Sequence, residues 1–191
     1  MCKTEIKYNK KNFNFDKSLE RLLKNYFNFR KSWESWCYLS NLEVKYSTED
    51  IRKYADDNDL LFHLRYVVMK DYHIEYYKMY KQSYNNGDNI FRLLSVYLEL
   101  NPTKEKVISL ALKKICSCSE VIKRALDVRD KFYAHLDYDY KSYNGTFKFH
   151  DIEDSLVALE EAIVLLVSKK KFKQLLLQIP SRNDFKLHLT I

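Results

Sequence analysis

The sequence predicts an all-α fold, an up-and-down bundle of four to five main helices. Three observations carry that expectation. Only two glycines and two prolines occur in 191 residues, too few turn formers for a sandwich or barrel. Long stretches repeat apolar residues at intervals of three and four, the period of one helical face. The breaks between them are short, which makes successive helices antiparallel neighbours. A chain of this length buries a core without staples, so residues 15–180 are expected to form a single domain. A polar tail, 1–14, precedes it. A second tail, 181–191, follows, and the sequence leaves open whether it packs.

The first helix is expected from Phe15 to about Asn41, as one piece or broken near Phe29, with Leu19, Leu22, Tyr26, Trp33 and Trp36 apolar. Ser47, Thr48, Glu49 and Asp50 read as a helix start, a hydroxyl cap with acids in the first turn, and a short helix runs to Ala55. Asp57 or Asp59 caps the next, about 59–83, with a stripe of Leu60, Leu64, Val67 and Ile74. Residues 84–88 make a turn. A helix over 89–100 follows, and Pro102 suits the first turn of a long helix from about 103 to 134. Residues 137–149 lose the helical period; Asn144-Gly145 fits either a short hairpin or an irregular loop. Asp151 is expected to cap a strong last helix through Ile152, Leu156, Leu159, Ile163 and Leu166, with a shorter piece over 169–178.

The net charge of +7, from 33 basic and 26 acidic residues, suits a polyanionic partner and equally a lysine-rich solvated surface. The run Lys169-Lys170-Lys171 reads as a helix terminus as readily as a phosphate track. Four cysteines without a paired spacing, and no apolar leader, predict reduced thiols and a cytoplasmic protein. The longest apolar clusters are too short to span a membrane. No metal-ligand spacing, glycine-rich phosphate loop or cofactor motif occurs. His63 and His73 are too far apart on one helix to form a site, Asp71 reads as a solvated edge residue, and His150 as loop.

The stretch Arg129-Asp130-Lys131-Phe132-Tyr133-Ala134-His135-Leu136-Asp137 stands apart. Cys118, Ile122 and Ala125 step along one face, and the same count brings Arg129 to a position reserved for a core residue. A buried cation needs a partner, a wet cleft or an anionic ligand. Arginine presents a planar fork to phosphate oxygens, and histidine moves protons near neutral pH. On an ideal helix six residues rise ~9 Å and turn the pair roughly 120° apart, so Arg129 and His135 do not touch; the long arginine arm and a fraying helix end at His135 are what let both line one cleft. Together they suffice for RNA cleavage without a metal, except that a single histidine leaves one proton transfer unassigned. A symmetric dimer supplies the second. Taken singly, each residue is ordinary at a helix end.

Arg129 through His135 resembles the R-x4-6-H motif of the HEPN superfamily, with Asp130 as the polar residue that commonly follows the arginine. Ala134-His135-Leu136-Asp137 is most similar to its abortive-infection, U-type branch. The order of long helix, loop and closing helix extends the resemblance over about residues 55–170. It implies a helical bundle that dimerises through the motif-bearing helices. It also implies a metal-independent endoribonuclease site at that interface, with RNA as substrate, in toxin–antitoxin or phage-defence systems. Carried over by position, Arg129 and His135 are the catalytic pair and Asp130 orients them; Tyr133 and Asp137 read as supports and Lys131 as a phosphate contact. An antitoxin or a nucleotidyltransferase is the partner such systems imply. The tyrosine that accepts nucleotidyl groups in some relatives soon follows the histidine; here Leu136 follows directly and Tyr138 comes three later. The alternative is a non-catalytic helical dimer of the same type that binds RNA, nucleotide or a partner.

Overall fold

A computed structural model describes residues 13–42, 51–82, 88–130 and 149–184. The fold is an all-α bundle, and no strand occurs among the described residues. Among the described residues eight α-helices follow in order: α1 (Phe15–Leu39), α2 (Ile51–Asp57), α3 (Asp59–Tyr80), α4 (Ile90–Leu100), α5 (Glu105–Ser117), α6 (Ser119–Val128), α7 (Phe149–Leu166) and α8 (Lys169–Leu176). A 3-10 turn, Pro102–Lys104, leads into α5.

Side-chain caps set the starts of four of these helices. Asn14 caps α1, its side chain accepting from the Lys17 N–H; Asn89 caps α4 through Arg92; Ser168 caps α8 through Lys171. Such caps satisfy N–H groups that have no partner within the helix. For α3 the cap is Asn58, accepting from Leu61 at 3.1 Å, and neither Asp57 nor Asp59. The helix begins where the amide oxygen reaches back over its own first turn. Asp151 lies inside the first turn of α7 rather than ahead of it. No break occurs near Phe29.

Two larger departures come from tertiary packing. The long helix expected over 103–134 is divided at Cys118, between α5 and α6. On α3 the expected stripe is not the buried one. Leu60 is 74 % exposed and Leu64 44 % exposed. The buried face is Tyr72, His73, Tyr76, Met79 and Tyr80. Tyrosine rings fill the interior while their hydroxyls find partners. Tyr76 shares a hydrogen bond with the Ser155 hydroxyl at 2.7 Å, and Tyr80 donates to the Ser155 carbonyl at 2.8 Å.

The core runs between α1, α3, α4, α5, α6 and α7, and Leu22, Tyr26, Phe29, Trp33, Leu93, Leu94, Ile115 and Leu159 all belong to it. Phe29 meets Tyr72 edge-on with centroids 6.1 Å apart, and Trp33 meets the same ring edge-on at 5.1 Å. The question of the C-terminal tail is decided for its first residues. Arg182 is 8 % exposed and its guanidinium reaches both Glu34 (2.8 Å from Nε) and Glu153 (3.0 Å from Nη2). The segment after α8 is thus pinned to α1 and α7. No described helix is long and apolar enough to cross a membrane.

Cys116 is disulfide-bonded, contrary to the expectation of four reduced thiols. Cys37 and Cys118 are free.

Candidate functional site

The C-terminal end of α6 meets the C-terminal end of α3. Ile122, Ala125 and Val128 form the buried face of α6. The core position that the sequence count assigns to Arg129 therefore belongs to Val128, because α6 starts afresh after Cys118 and its stripe steps by three. Arg129 and Asp130 continue the chain as a π-helical turn. A widened turn of this kind re-aims side chains and recurs at functional sites.

Arg129 is half-buried, its side chain 32 % exposed. Its guanidinium lies over the Tyr77 ring, with the central carbon 4.3 Å from the centroid. Its Nη1 donates to Asp130 Oδ1 at 2.9 Å. Lys81, the residue that ends α3, donates from Nζ to the other carboxylate oxygen, Oδ2, at 3.2 Å. That ammonium also lies 5.0 Å from the centre of the Tyr77 ring. One aromatic ring and one carboxylate thus hold two cations from different helices.

The electrostatics follow from this geometry. Desolvation pulls the Asp130 carboxyl upward, but the hydrogen bonds from Arg129 and Lys81 outweigh it and leave the group below its usual value. Desolvation pulls Lys81 downward, and its contacts with Asp130 and Tyr77 outweigh that, holding the ammonium above its usual value. The two shifts share the Lys81–Asp130 contact, to which Arg129 adds on the carboxylate side and Tyr77 on the ammonium side. Two cations against one carboxylate leave a surplus positive charge facing solvent. Partly exposed pairs of this kind add only about 0–1 kcal/mol to stability, so the cluster orients charge more than it holds the fold. Arginine held over a ring retains donors for oxygen ligands beside the one given to Asp130. The arrangement is able to bind a phosphate.

Behind Lys81 a cavity of about 250 Å³ opens between the end of α3, the start of α4, and α5 and α6. Phe91, Ile115, Ile122 and Leu126 give it apolar walls, and Lys81, Gln82, Ser119 and Lys123 also line it.

Of the residues expected at the site, Arg129 and Asp130 are brought together. Lys131, Tyr133, His135 and Asp137 lie outside the described residues, as does most of the 137–149 segment read as hairpin or loop; Phe149 itself opens α7. Asp71 is exposed on α3. His73 is buried in the core, where burial pushes its imidazole down to about 3. Among the described residues no three His, Cys, Asp or Glu side chains gather as a metal-binding group. The sequence reading missed Tyr77 and Lys81. Their spacing of four along α3 is the one local signal, and nothing local ties that helix end to α6. Comparison with family models, with characterised proteins and with solved structures finds no match.

Proposed function

We propose that this chain is a metal-independent endoribonuclease of the HEPN type, acting on RNA as a homodimer through its motif-bearing helices. The observation that carries the reading is the placement of Arg129. It follows directly on the buried face of α6, lies over the Tyr77 ring, and bonds the neighbouring carboxylate that the motif expects. An arginine that served only as a surface charge has no need of such a mount.

In this reading Arg129, with Lys81 beside it, holds the scissile phosphodiester. A His135 imidazole takes the proton of the 2′-hydroxyl. The 2′-oxygen attacks the adjacent phosphorus and the bond to the 5′-oxygen breaks. The second His135 of the dimer, in its protonated form, gives a proton to that leaving oxygen. The products are a 2′,3′-cyclic phosphate and a 5′-hydroxyl. Arginine stabilises the charge that grows on the phosphoryl oxygens. Lys131 adds a phosphate contact, Tyr133 and Asp137 support the histidine, and no cofactor takes part. The setting is a cytoplasmic toxin or phage-defence effector, checked by an antitoxin or a nucleotidyltransferase.

Purified chain should cut single-stranded RNA in EDTA and leave cyclic phosphate ends. His135→Ala should abolish cutting with an unchanged thermal melt. Equal cutting by that variant removes the assignment. RNA retained but never cut by the natural chain favours the non-catalytic binding dimer, which the surplus charge at Arg129 and Lys81 would equally serve.

A further inference from the structure

We propose that the cavity behind Lys81 holds one unstacked base of a single-stranded RNA, from a nucleotide adjoining the phosphate bound at Arg129. The inference rests on the ribonuclease reading and adds to it a subsite for a base.

Size is the first argument. Pockets for drug-sized ligands span ~300–1,000 Å³, and this one, at about 250 Å³, lies just below that range. It suits a single flat heterocycle better than a whole nucleotide. Lining chemistry is the second. Phe91 and the aliphatic walls offer a surface to the face of a base, and every base has such a face. Gln82 and Ser119 also line the cavity, and their amide and hydroxyl offer both donors and acceptors to the edge of a base.

Position is the third argument. Lys81 and Lys123 both line the cavity, and Lys81 also bonds Asp130 at 3.2 Å, beside Arg129. The same residue therefore belongs to the Arg129–Asp130 cluster and to the cavity. A polynucleotide meets that requirement, because its anionic backbone and its flat bases alternate along one chain. Single-stranded RNA is recognised in this way, by splayed bases against apolar or aromatic surfaces and phosphates against cations. An acyl chain fits poorly, since it would leave the Gln82 amide and two ammonium groups facing hydrocarbon.

The test uses the full chain and a short 2′-O-methyl RNA, which lacks the attacking hydroxyl and is bound without being cut. One base at a time is replaced by an abasic unit, and affinity is read by fluorescence anisotropy. One position should lose on the order of tenfold in affinity, the scale of one stacked base, while its neighbours change little. Ser119→Tyr, which places a ring in the cavity, should erase that penalty. Lys123→Trp, which covers the mouth from an exposed position, should do the same without threatening the fold. A flat abasic scan overturns the base subsite, as does a penalty that survives Lys123→Trp. The ribonuclease reading stands in either case if unmodified RNA is cut. A chain that binds no RNA overturns both.

Discussion

The guanidinium of Arg129 rests over the ring of Tyr77, 4.3 Å from its centroid. The contact joins the end of α6 to the end of α3 and fixes the direction in which the arginine presents its donors. At a partly exposed site such a contact contributes about 0.5–1 kcal/mol. Tyr77→Leu should therefore weaken RNA binding roughly two- to fivefold, while Tyr77→Phe, which keeps the ring, should bind normally. Titration with a short RNA at low salt reads the difference. Equal losses in both variants would show that the hydroxyl matters and the ring does not.

Asp130 accepts from Arg129 and from Lys81, so it orients both cations and also neutralises part of their charge. Asp130→Asn should separate these effects. RNA affinity should hold or rise, because one negative charge is gone. Turnover should fall by about ten- to hundredfold, as expected when a catalytic group loses its alignment. A rise in KM with unchanged kcat would instead mark Asp130 as a binding residue.

Burial lowers the His73 imidazole to about 3, so the folded protein keeps this ring neutral. The unfolded chain takes up the proton near the ordinary value of about 6.5. The stability due to a neutral His73 is complete above that pH and is lost as pH falls toward 3. Urea midpoints should decline below about pH 6.5, by up to roughly 1.4 kcal/mol per pH unit. His73→Leu should flatten the profile between about pH 6 and 4.5. A variant profile parallel to that of the natural chain would exclude His73 as the cause.

Glu34 and Arg182 form the most buried ion pair described, with Arg30 also on the Glu34 carboxylate at 2.9 Å. Desolvation raises the Glu34 carboxyl, but the hydrogen bonds and charges of Arg182 and Arg30 outweigh it and leave it below the usual value. Its contribution is present above the ordinary carboxylate value and is lost as pH falls through the depressed folded one. Acid should therefore weaken the fold further once pH drops below the ordinary carboxylate value, within the lower part of the His73 range. Arg182→Ala should cost about 3 kcal/mol, the lower end of the range for breaking a buried pair, because Arg30 still faces Glu34. A urea-midpoint shift near zero would show that the segment after α8 adds nothing to the fold.

Much of this molecule is legible in local sequence. The helical class follows from periodicity and from the scarcity of glycine and proline. The start of α1 at Phe15, the extent of α4 and the stripe of α7 through Ile152, Leu156, Leu159 and Ile163 follow from spacing. Arg129 was likewise conspicuous, since a cation interrupting an apolar run is visible without coordinates.

Tertiary structure decided the rest, because it sets which of two similar faces is covered. On α3 the choice lay between Leu60, Leu64, Val67 and Ile74 and the face that is buried, Tyr72, Tyr76, Met79 and Tyr80. The aromatic face prevails because α1 supplies Phe29 and Trp33 to pack against it and α7 supplies Ser155 to satisfy its hydroxyls. The break at Cys118 moves the core position from Arg129 to Val128 and sets the arginine at the rim. Tyr77 and Lys81 reach it only because the ends of α3 and α6 converge. Sequence alone thus identified a charge that needed a partner, and the packing of distant helices chose which partners it received.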